Sequence, residues 1–264
     1  MHRPLGPRRR CERPRRCPLL ADPTRQAQLL QVQALDTRLD QIAHARSTLP
    51  QHRRLTELAA ASDTLDVDLA LAQTALSDVE REIAKAEADV QLVRDRAARD
   101  RAHLDSGTGT AKDLQALQHE LVSLARRQGE LEDVELEVME RAEGLQSQVA
   151  QLTDRRSQLD AELAEVTRER DDVLGALDAE QASVRAARSA AAPEVGDDLL
   201  ALYDKIRASA GGVGAAPLRQ RRCGGCQLEL NQVDLARFKQ APADEVLRCE
   251  ECRRVLVRGV ESGL

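Results

Sequence analysis

Large aromatic side chains are nearly missing from this chain of 264 residues, which has one Tyr, one Phe and no Trp. A compact enzyme domain of this length centres its core on several aromatics, because each one buries a large area. Their scarcity therefore argues against an ordinary globular enzyme. A chain rich in Ala, Leu, Glu, Gln and Arg with so few aromatics is typical of long helices that pack along a narrow seam.

Long apolar runs are also missing. No stretch of about 18 apolar residues could span a membrane, and the N-terminus lacks the apolar segment of a signal peptide. The six cysteines are too few for a disulfide scaffold, and four of them stand in two C-x-x-C pairs, which favours a metal site over disulfides. We therefore expect a cytoplasmic protein that does not contact a membrane.

Charge is distributed unevenly along the chain. Residues 1–20 contain seven Arg and one acidic residue, residues 21–200 contain 21 basic and 36 acidic residues, and residues 201–264 contain 11 basic and 8 acidic residues. The first segment, which also carries four Pro, is predicted to be a disordered Arg-rich arm, or the result of a start codon assigned too far upstream. Cys11 and Cys17 belong to it and receive no role.

Heptad repeats dominate the middle of the chain. A helix is predicted from Thr24, its expected N-cap, with a kink or short break at Pro50. Beyond Pro50 two interleaved apolar series repeat every seven residues and predict a coiled-coil seam. The series are Leu69, Leu76, Ile83, Val90, Ala97 and Leu104, and Leu58, Leu65, Ala72, Val79, Ala86 and Val93.

A Gly-containing turn near residues 105–110 interrupts this pattern. The repeats then resume at Leu117 and continue to Val173, and the helix is expected to end near Ala190, before Pro193. The two arms are nearly equal in length, which predicts an antiparallel hairpin over residues 21–192 that folds back on itself. The rival interpretation is a parallel dimer of one continuous rod. A linker and a short helix, Asp197–Ser209 with Asp197 as its cap, are predicted within residues 193–218.

The remaining residues, 219–264, carry the motif with the most specific chemistry. Two C-x-x-C pairs are separated by 22 residues, and two such loops can place four thiolates around one Zn²⁺ ion. Iron in a rubredoxin-like site and a thioredoxin-like redox pair are the alternatives. Four protein ligands leave no open coordination position, so the metal is expected to be structural. The predicted zinc ligands are Cys223, Cys226, Cys249 and Cys252.

Short β-like runs flank these cysteines, with Val255–Val260 the clearest strand, and together they predict a zinc ribbon. Leu235 and Phe238 are expected to pack beneath the metal; the alternative role for Phe238 is stacking on a nucleic-acid base. The predicted fold is thus mainly α, a long antiparallel coiled-coil hairpin followed by a small C-terminal β zinc ribbon.

The chain resembles a bacterial family made of a coiled-coil hairpin and a C4-type zinc ribbon, most closely its actinobacterial-type members. The residues that carry the resemblance are the segments Ala21–His44, Leu104–Glu143 and Leu202–Ala216, the CGGC motif and the sequence CEECRRVLVR. The resemblance implies that the four cysteines bind zinc. It also implies a relation to flagellar and type III secretion regulators that act as adaptors or chaperones and contact RNA. Relatives often carry Gly where this chain has Arg253.

These features predict a non-enzymatic zinc-binding adaptor or regulator that binds a protein partner, as a monomer or as a homodimer through the coiled coil. No catalytic set of residues or phosphate-binding loop is recognisable; His103 and His119 could approach each other across the turn. The alternative function is binding of RNA or DNA by a basic zinc ribbon. Its candidate contacts are Arg219, Arg221, Arg222, Arg237, Lys239, Arg248, Arg253, Arg254 and Arg258.

Overall fold

The structure is a computed structural model, and it describes residues 19–264. The predicted arm therefore lies outside the described residues, except for its last two. The described chain forms two compact units: one contains Pro50–Arg170, and the other joins the residues up to Leu49 to Asp171–Leu264. Its helices are α1 (Pro23–Ser47), α2 (Pro50–Asp105), α3 (Ala111–Val195), α4 (Asp197–Ser209) and α5 (Gln232–Gln240), and its strands are β1 (Ala215–Arg219), β2 (Arg222–Cys223), β3 (Leu247–Arg248) and β4 (Val255–Val257).

The unit Pro50–Arg170 is an antiparallel hairpin of α2 and the first part of α3. Ion pairs between the helices connect early residues of α2 to late residues of α3 and the reverse, which only an antiparallel arrangement within one chain allows. These pairs are Arg54–Glu162, Asp66–Arg156 (2.6 Å), Glu82–Arg141 and Arg94–Glu132 (2.6 Å). The predicted hairpin is confirmed, and the continuous rod is excluded.

The seam of this hairpin is narrow. Val79 of α2 packs with Val138 and Ala142 of α3 at its centre. Leu58, Ala72, Ala86, Val90 and Leu124 are also buried, and all five lie at the predicted seven-residue positions. Ala142 was not among the predicted seam residues, because Ala is common on every face of these helices.

The turn between the two helices uses glycine for a conformational reason. Gly107 and Gly109 have φ angles of +64° and +129°, which an L-residue with a Cβ rarely adopts. Thr110 and Asp113 then cap α3 reciprocally: the Thr110 N–H donates to the Asp113 carboxylate (3.0 Å) and the Asp113 N–H donates to the Thr110 hydroxyl (3.3 Å). This arrangement satisfies free N–H groups at the start of the helix.

Three helix boundaries differ in detail from the predicted ones. The N-cap of α1 is Asp22 rather than Thr24, because the Asp22 carboxylate accepts from the Thr24 N–H (2.7 Å). Helix α3 continues through Pro193 to Val195, since Val195 is fully buried in the core of its unit and this burial offsets the hydrogen bond that proline cannot donate. Gly196, not Asp197, precedes α4 as its N-cap, without a side-chain hydrogen bond.

The C-terminal strands form one sheet in the order β2-β1-β4-β3, with β1 parallel to β4 and both outer pairs antiparallel. Strand β1 lies in the segment predicted as linker. Its sequence, AAPLR, lacks the β-branched and aromatic residues that mark strands. Its pairing with β4 comes from residues about 40 positions away, so no local signal announces it.

Helices and sheet share one core in this unit. The buried cluster joins α1, the end of α3, α4 and the strands, so the ribbon does not fold against solvent alone. Its members include Leu29, Val32, Val195, Leu199, Tyr203, Ile206, Ala215, Val246, Val255 and Val257. At the edge of the cluster the backbone of Leu19 and Ala21 pairs with Val246 and Asp244, so the last residues of the predicted arm belong to this unit.

Candidate metal centre

The two C-x-x-C loops are held at strand ends of the sheet. Cys223 ends β2, and Cys226 follows in the turn after it; Cys249 directly follows β3, and Cys252 lies in the turn before β4. Both loops close in the same way, because the Gln227 N–H donates to the Cys223 carbonyl (2.8 Å) and the Arg253 N–H donates to the Cys249 carbonyl (2.9 Å). Two equivalent loops thus face each other across one point.

The four thiols form a compact cluster. All four sulfur atoms lie within 4.8 Å of one another, with 3.7 Å between Cys223 Sγ and Cys252 Sγ and 3.9 Å between Cys226 Sγ and Cys249 Sγ. A disulfide requires about 2.05 Å, so the cysteines are free. Sulfurs about 2.3 Å from a tetrahedral zinc ion stand about 3.8 Å apart, and the observed spacing fits that value.

Backbone conformation around the loops is constrained at particular positions. A Cβ added to Gly224 would lie 2.8 Å from the Pro217 carbonyl oxygen, and one added to Gly225 would lie 2.6 Å from Arg254 Cδ. Arg253, directly after the fourth cysteine, has a φ of +64°. It therefore adopts the left-handed conformation that glycine accepts without strain, as does Gln227 (φ +64°) at the equivalent position of the first loop.

The protonation of the thiols reflects their surroundings. Burial raises the pKa of Cys223, and it raises the pKa of Cys249 to about 12. Burial acts in the same direction on Cys252, but the Arg254 N–H and hydrogen bonds from the neighbouring thiols outweigh it and lower the pKa of Cys252. Zinc binds thiolates, so its binding displaces the protons of the thiols whose pKa is raised. Zinc binding therefore weakens as the pH falls.

A small apolar layer supports the cluster. Cys223 and Cys249 are fully buried, and Phe238 and Leu235, as predicted, pack in the same group. Phe238 is 1% exposed, so its ring is closed to a nucleic-acid base, and the stacking alternative is wrong. The remaining members are Leu218, Leu230, Leu247 and Leu256.

Two of the candidate nucleic-acid contacts are used inside the fold. Arg258 donates to five backbone carbonyls after and within the end of α5, including those of Ala241 (3.0 Å) and Ala243 (3.0 Å). Arg254 donates to the carbonyls of Ala210 (2.7 Å) and Val213 (2.9 Å). Both side chains are half-buried and hold loops in place through backbone carbonyls. They are therefore less available to phosphate groups than the sequence predicts.

The other candidates lie at the surface, and most contact neighbouring groups. Arg237 pairs with Glu250 (2.9 Å), Arg253 also pairs with Glu250 (3.5 Å), and Arg248 donates to the Arg253 carbonyl (3.0 Å). The longer contacts are Arg222–Glu229 (3.8 Å), Arg219–Glu261 (3.4 Å) and Arg221 to the Gly263 carbonyl (3.2 Å). Lys239 is exposed. Carboxylates therefore neutralise part of the predicted basic surface.

A polar cluster that the sequence reading missed joins α1 to the rest of its unit. Asp36, 3% exposed, accepts from the Tyr203 hydroxyl (2.8 Å) and from Arg188 Nε (2.8 Å). Gln33, one turn earlier, accepts from the N–H groups of Gly214 (2.7 Å) and Ala215 (3.2 Å) at the start of β1. The sequence contained one signal for this cluster: Gln26, Gln33 and Asp36 are polar residues on the otherwise apolar, buried face of α1.

Fold and site together define a class of protein: an antiparallel helical hairpin with a C4-type zinc ribbon that suits a structural zinc ion. Residues 32–211 match the model of the CT398-like coiled coil hairpin domain, and residues 222–256 match that of the C4-type zinc ribbon domain. The chain belongs to the CT398-like coiled-coil hairpin family. Neither family description names an enzymatic activity.

Relatives cover nearly the whole chain. A protein of Mycobacterium tuberculosis is 37% identical over 233 residues, which are 88% of this chain and 95% of that protein. A Mycobacterium smegmatis structure is 38% identical, covers 91% of this chain and 100% of its own, and superposes with a TM-score of 0.79. CT398 from Chlamydia trachomatis shares the fold, with a TM-score of 0.60 at 17% identity over 89% of this chain and 98% of its own.

The cysteine quartet is the one group of three or more metal-ligating side chains found within residues 19–264. None of the helices in that range is long and apolar enough to cross a membrane.

Proposed function

We propose that this protein is a non-enzymatic adaptor or regulator that binds a protein partner through its hairpin. The zinc-bound ribbon would stabilise α1 and α4, which share a buried cluster with its strands. Cys223, Cys226, Cys249 and Cys252 would be the zinc ligands. The observation that carries the proposal is the exposed apolar surface of the hairpin. Of the twelve exposed large apolar side chains in the described residues, seven lie within Pro50–Arg170, where an amphipathic helix of a partner would pack against them.

The positions of the four lysines allow this proposal to be tested by cross-linking. Lys85 and Lys112 lie in the hairpin, Lys205 lies in α4 and Lys239 in α5, and all four are exposed. The zinc-loaded full chain would be incubated with cell extract, treated with a lysine-reactive cross-linker and analysed by mass spectrometry. We expect one recurring partner, cross-linked mainly through Lys85 and Lys112. Recurrent cross-links confined to Lys205 and Lys239 would instead indicate binding by the ribbon unit.

Nucleic-acid binding by the ribbon is the second candidate, and the exposed Arg221 and Lys239 are the observation that favours it. Two of the predicted contacts, Arg254 and Arg258, are hydrogen-bonded to backbone carbonyls within the fold. Four thiolates on zinc would also add negative charge to the ribbon. We therefore expect no mobility shift of a single-stranded RNA or a duplex DNA at micromolar protein and about 150 mM salt. A shift that persists there, and that Arg221→Ala with Lys239→Ala abolishes, would favour this function over the adaptor.

The relation to flagellar and type III secretion regulators, implied by the sequence resemblance, remains part of this proposal. So do a cytoplasmic location and the choice between a monomer and a homodimer. Sedimentation velocity of the zinc-loaded chain separates the two oligomeric states directly.

A further inference from the structure

The hairpin has a nearly uncharged band about midway along α2. It consists of Val67–Ser77 on α2 and Gly144–Thr153 on α3, in which Asp68 is the one charged residue, although 32% of the residues in the chain are charged. Charged residues are depleted at the centres of protein interfaces, so the band has the composition of a surface that another protein chain covers. The helix-to-helix ion pairs that border it are Asp66–Arg156 and Glu82–Arg141.

One side of α2 in this band is exposed and apolar. Val67 and Leu71 are 59% and 65% exposed, and they stand four residues apart, which makes them neighbours on the helix surface. Thr64 and Thr74 continue the same row, three residues before Val67 and three residues after Leu71, and no charged residue interrupts it. Both threonine hydroxyls donate to carbonyls one turn earlier in the same helix (3.0 and 2.8 Å). The row therefore needs no polar partner.

A groove of about 360 Å³ lies beside this row, between α2 and α3. Thr64 belongs to both, so the row and the groove form one surface. A charged residue stands on each wall of the groove, Asp68 on α2 and Arg155 on α3. Both are exposed, and neither has an ion pair within residues 19–264. The large apolar residues that line the groove are Leu65, Leu152 and Leu159.

We infer that this surface, the row and the groove together, is the interface of a homodimer, and that a second copy of the same surface occupies it. A two-fold interface must be complementary to itself. A surface with one unpaired anion, Asp68, and one unpaired cation, Arg155, meets this condition. A nucleic acid would instead require several cations along one face.

The positions of the two charges define how the copies would meet. Arg156, which directly follows Arg155, pairs with Asp66 across the helices (2.6 Å). Asp68 and Arg155 therefore stand at nearly the same level of the hairpin. A two-fold axis along the hairpin sets α2 of one copy against α3 of the other, so Asp68 of each copy meets Arg155 of the other copy. The result is a local four-helix bundle. This inference goes beyond the proposed function, which leaves the oligomeric state open.

Sedimentation velocity of the zinc-loaded full chain at micromolar concentrations tests the dimer. We expect the wild-type chain to sediment as a dimer. Leu71→Glu should weaken dimerisation by at least about a hundredfold, because each dimer would bury two unpaired carboxylates. The matched control is Leu92→Glu, because Leu92 is also on α2 and also 65% exposed but lies outside the band. This control should sediment like the wild-type chain.

A charge exchange tests how the two copies pair. Asp68→Arg and Arg155→Asp should each weaken the homodimer by at least about tenfold, because each substitution places like charges opposite each other. An equimolar mixture of the two variants should form a heterodimer, since a chain with two cations then faces a chain with two anions. A chain that carries both substitutions should dimerise like the wild-type chain.

Several results would overturn the inference. They are a monomeric wild-type chain, equal effects of Leu71→Glu and Leu92→Glu, and a mixture of the two charge variants that stays monomeric. A monomeric chain that loses its captured partner on Leu71→Glu would show that another protein occupies the surface. Far-UV circular dichroism verifies the helical content of each variant, and the charge exchange decides the question when Leu71→Glu does not fold.

The proposed function fails separately from this inference. A dimer that yields no recurring partner in the cross-linking experiment contradicts only the proposed function. A monomeric chain that captures a partner through its hairpin, with capture unaffected by Leu71→Glu, contradicts only the dimer.

Discussion

Replacing Cys223 and Cys226 by serine is expected to abolish zinc binding and to unfold the sheet that carries both loops. Structural zinc sites of this kind contribute about 10–16 kcal/mol of apparent binding free energy, which is as large as the whole stability of a typical domain, about 5–15 kcal/mol. The apolar layer beneath the thiols is small and cannot replace that contribution. Metal analysis should find one zinc ion per wild-type chain and none in the variant.

The structure also specifies which helices respond to this loss. Strands β1 and β4 share a buried cluster with α1 and α4, so amide hydrogen exchange in these two helices should accelerate along with the ribbon. The unit Pro50–Arg170 has its own seam, and its amides should keep their protection. Far-UV circular dichroism is thus expected to lose a minor part of the helical signal.

Cys11 and Cys17 provide a matched control for this experiment, since they undergo the same chemical change and are not among the four predicted zinc ligands. The double variant Cys11→Ser, Cys17→Ser should retain one zinc ion per chain and the wild-type exchange pattern. Zinc content equal to wild type in Cys223→Ser, Cys226→Ser would contradict the assignment of the metal site.

Replacing Asp36 by alanine is expected to cause the second large effect, a loss of about 3–5 kcal/mol in the free energy of unfolding of the unit that contains the ribbon. The Asp36 carboxylate is buried and accepts from both Tyr203 and Arg188. Its removal leaves the buried Tyr203 hydroxyl without its acceptor and leaves the half-buried Arg188 with its longer contact to Asp204 (3.3 Å). Burial is the main cause that raises the pKa of Tyr203, and the hydrogen bond to Asp36 adds to it. The hydroxyl therefore stays a neutral donor at every physiological pH.

The measurement is the denaturant midpoint followed by Tyr203 fluorescence, the one tyrosine in the chain. Asp40→Ala is the control, because Asp40 pairs with Arg207 at 2.6 Å but its side chain is 53% exposed, and exposed pairs contribute at most about 1 kcal/mol. Tyr203→Phe has no tyrosine fluorescence, so its midpoint is followed by far-UV circular dichroism; it should fall between the two, since it removes one hydrogen bond and keeps the ring packed. Equal losses in Asp36→Ala and Asp40→Ala would show that the buried network does not stabilise the unit.

The parts of the fold that could be predicted depend on local or strictly periodic patterns. The seam positions Val79 and Val138 follow from seven-residue spacing, and α4 follows from the amphipathic pattern of Asp197–Ser209. The helix boundaries at Pro193 and Asp22 did not follow, because tertiary burial of Val195 and one carboxylate–amide hydrogen bond decided them.

The same distinction applies to the candidate site. The two C-x-x-C pairs indicate a zinc cluster without any knowledge of the fold. Each pair already places two thiolates on one loop, so the fold has only to bring the two loops together. The basic residues beside them gave no such signal. Arg254 and Arg258 are indistinguishable in sequence from exposed arginines, and only the positions of distant carbonyl groups show that they fasten loops.

By itself, the sequence determined that the chain is a helical hairpin with a thiolate metal cluster, since heptad periodicity and cysteine spacing are properties of short segments. The tertiary structure decided that the ribbon is not a separate module. Strand β1 has no strand-forming residues of its own. It exists because it pairs with β4 and because the N–H groups of Gly214 and Ala215 at its start donate to the Gln33 side chain. Such pairings join residues that lie about 40 and 180 positions apart, and their stability depends on packing that no local pattern encodes.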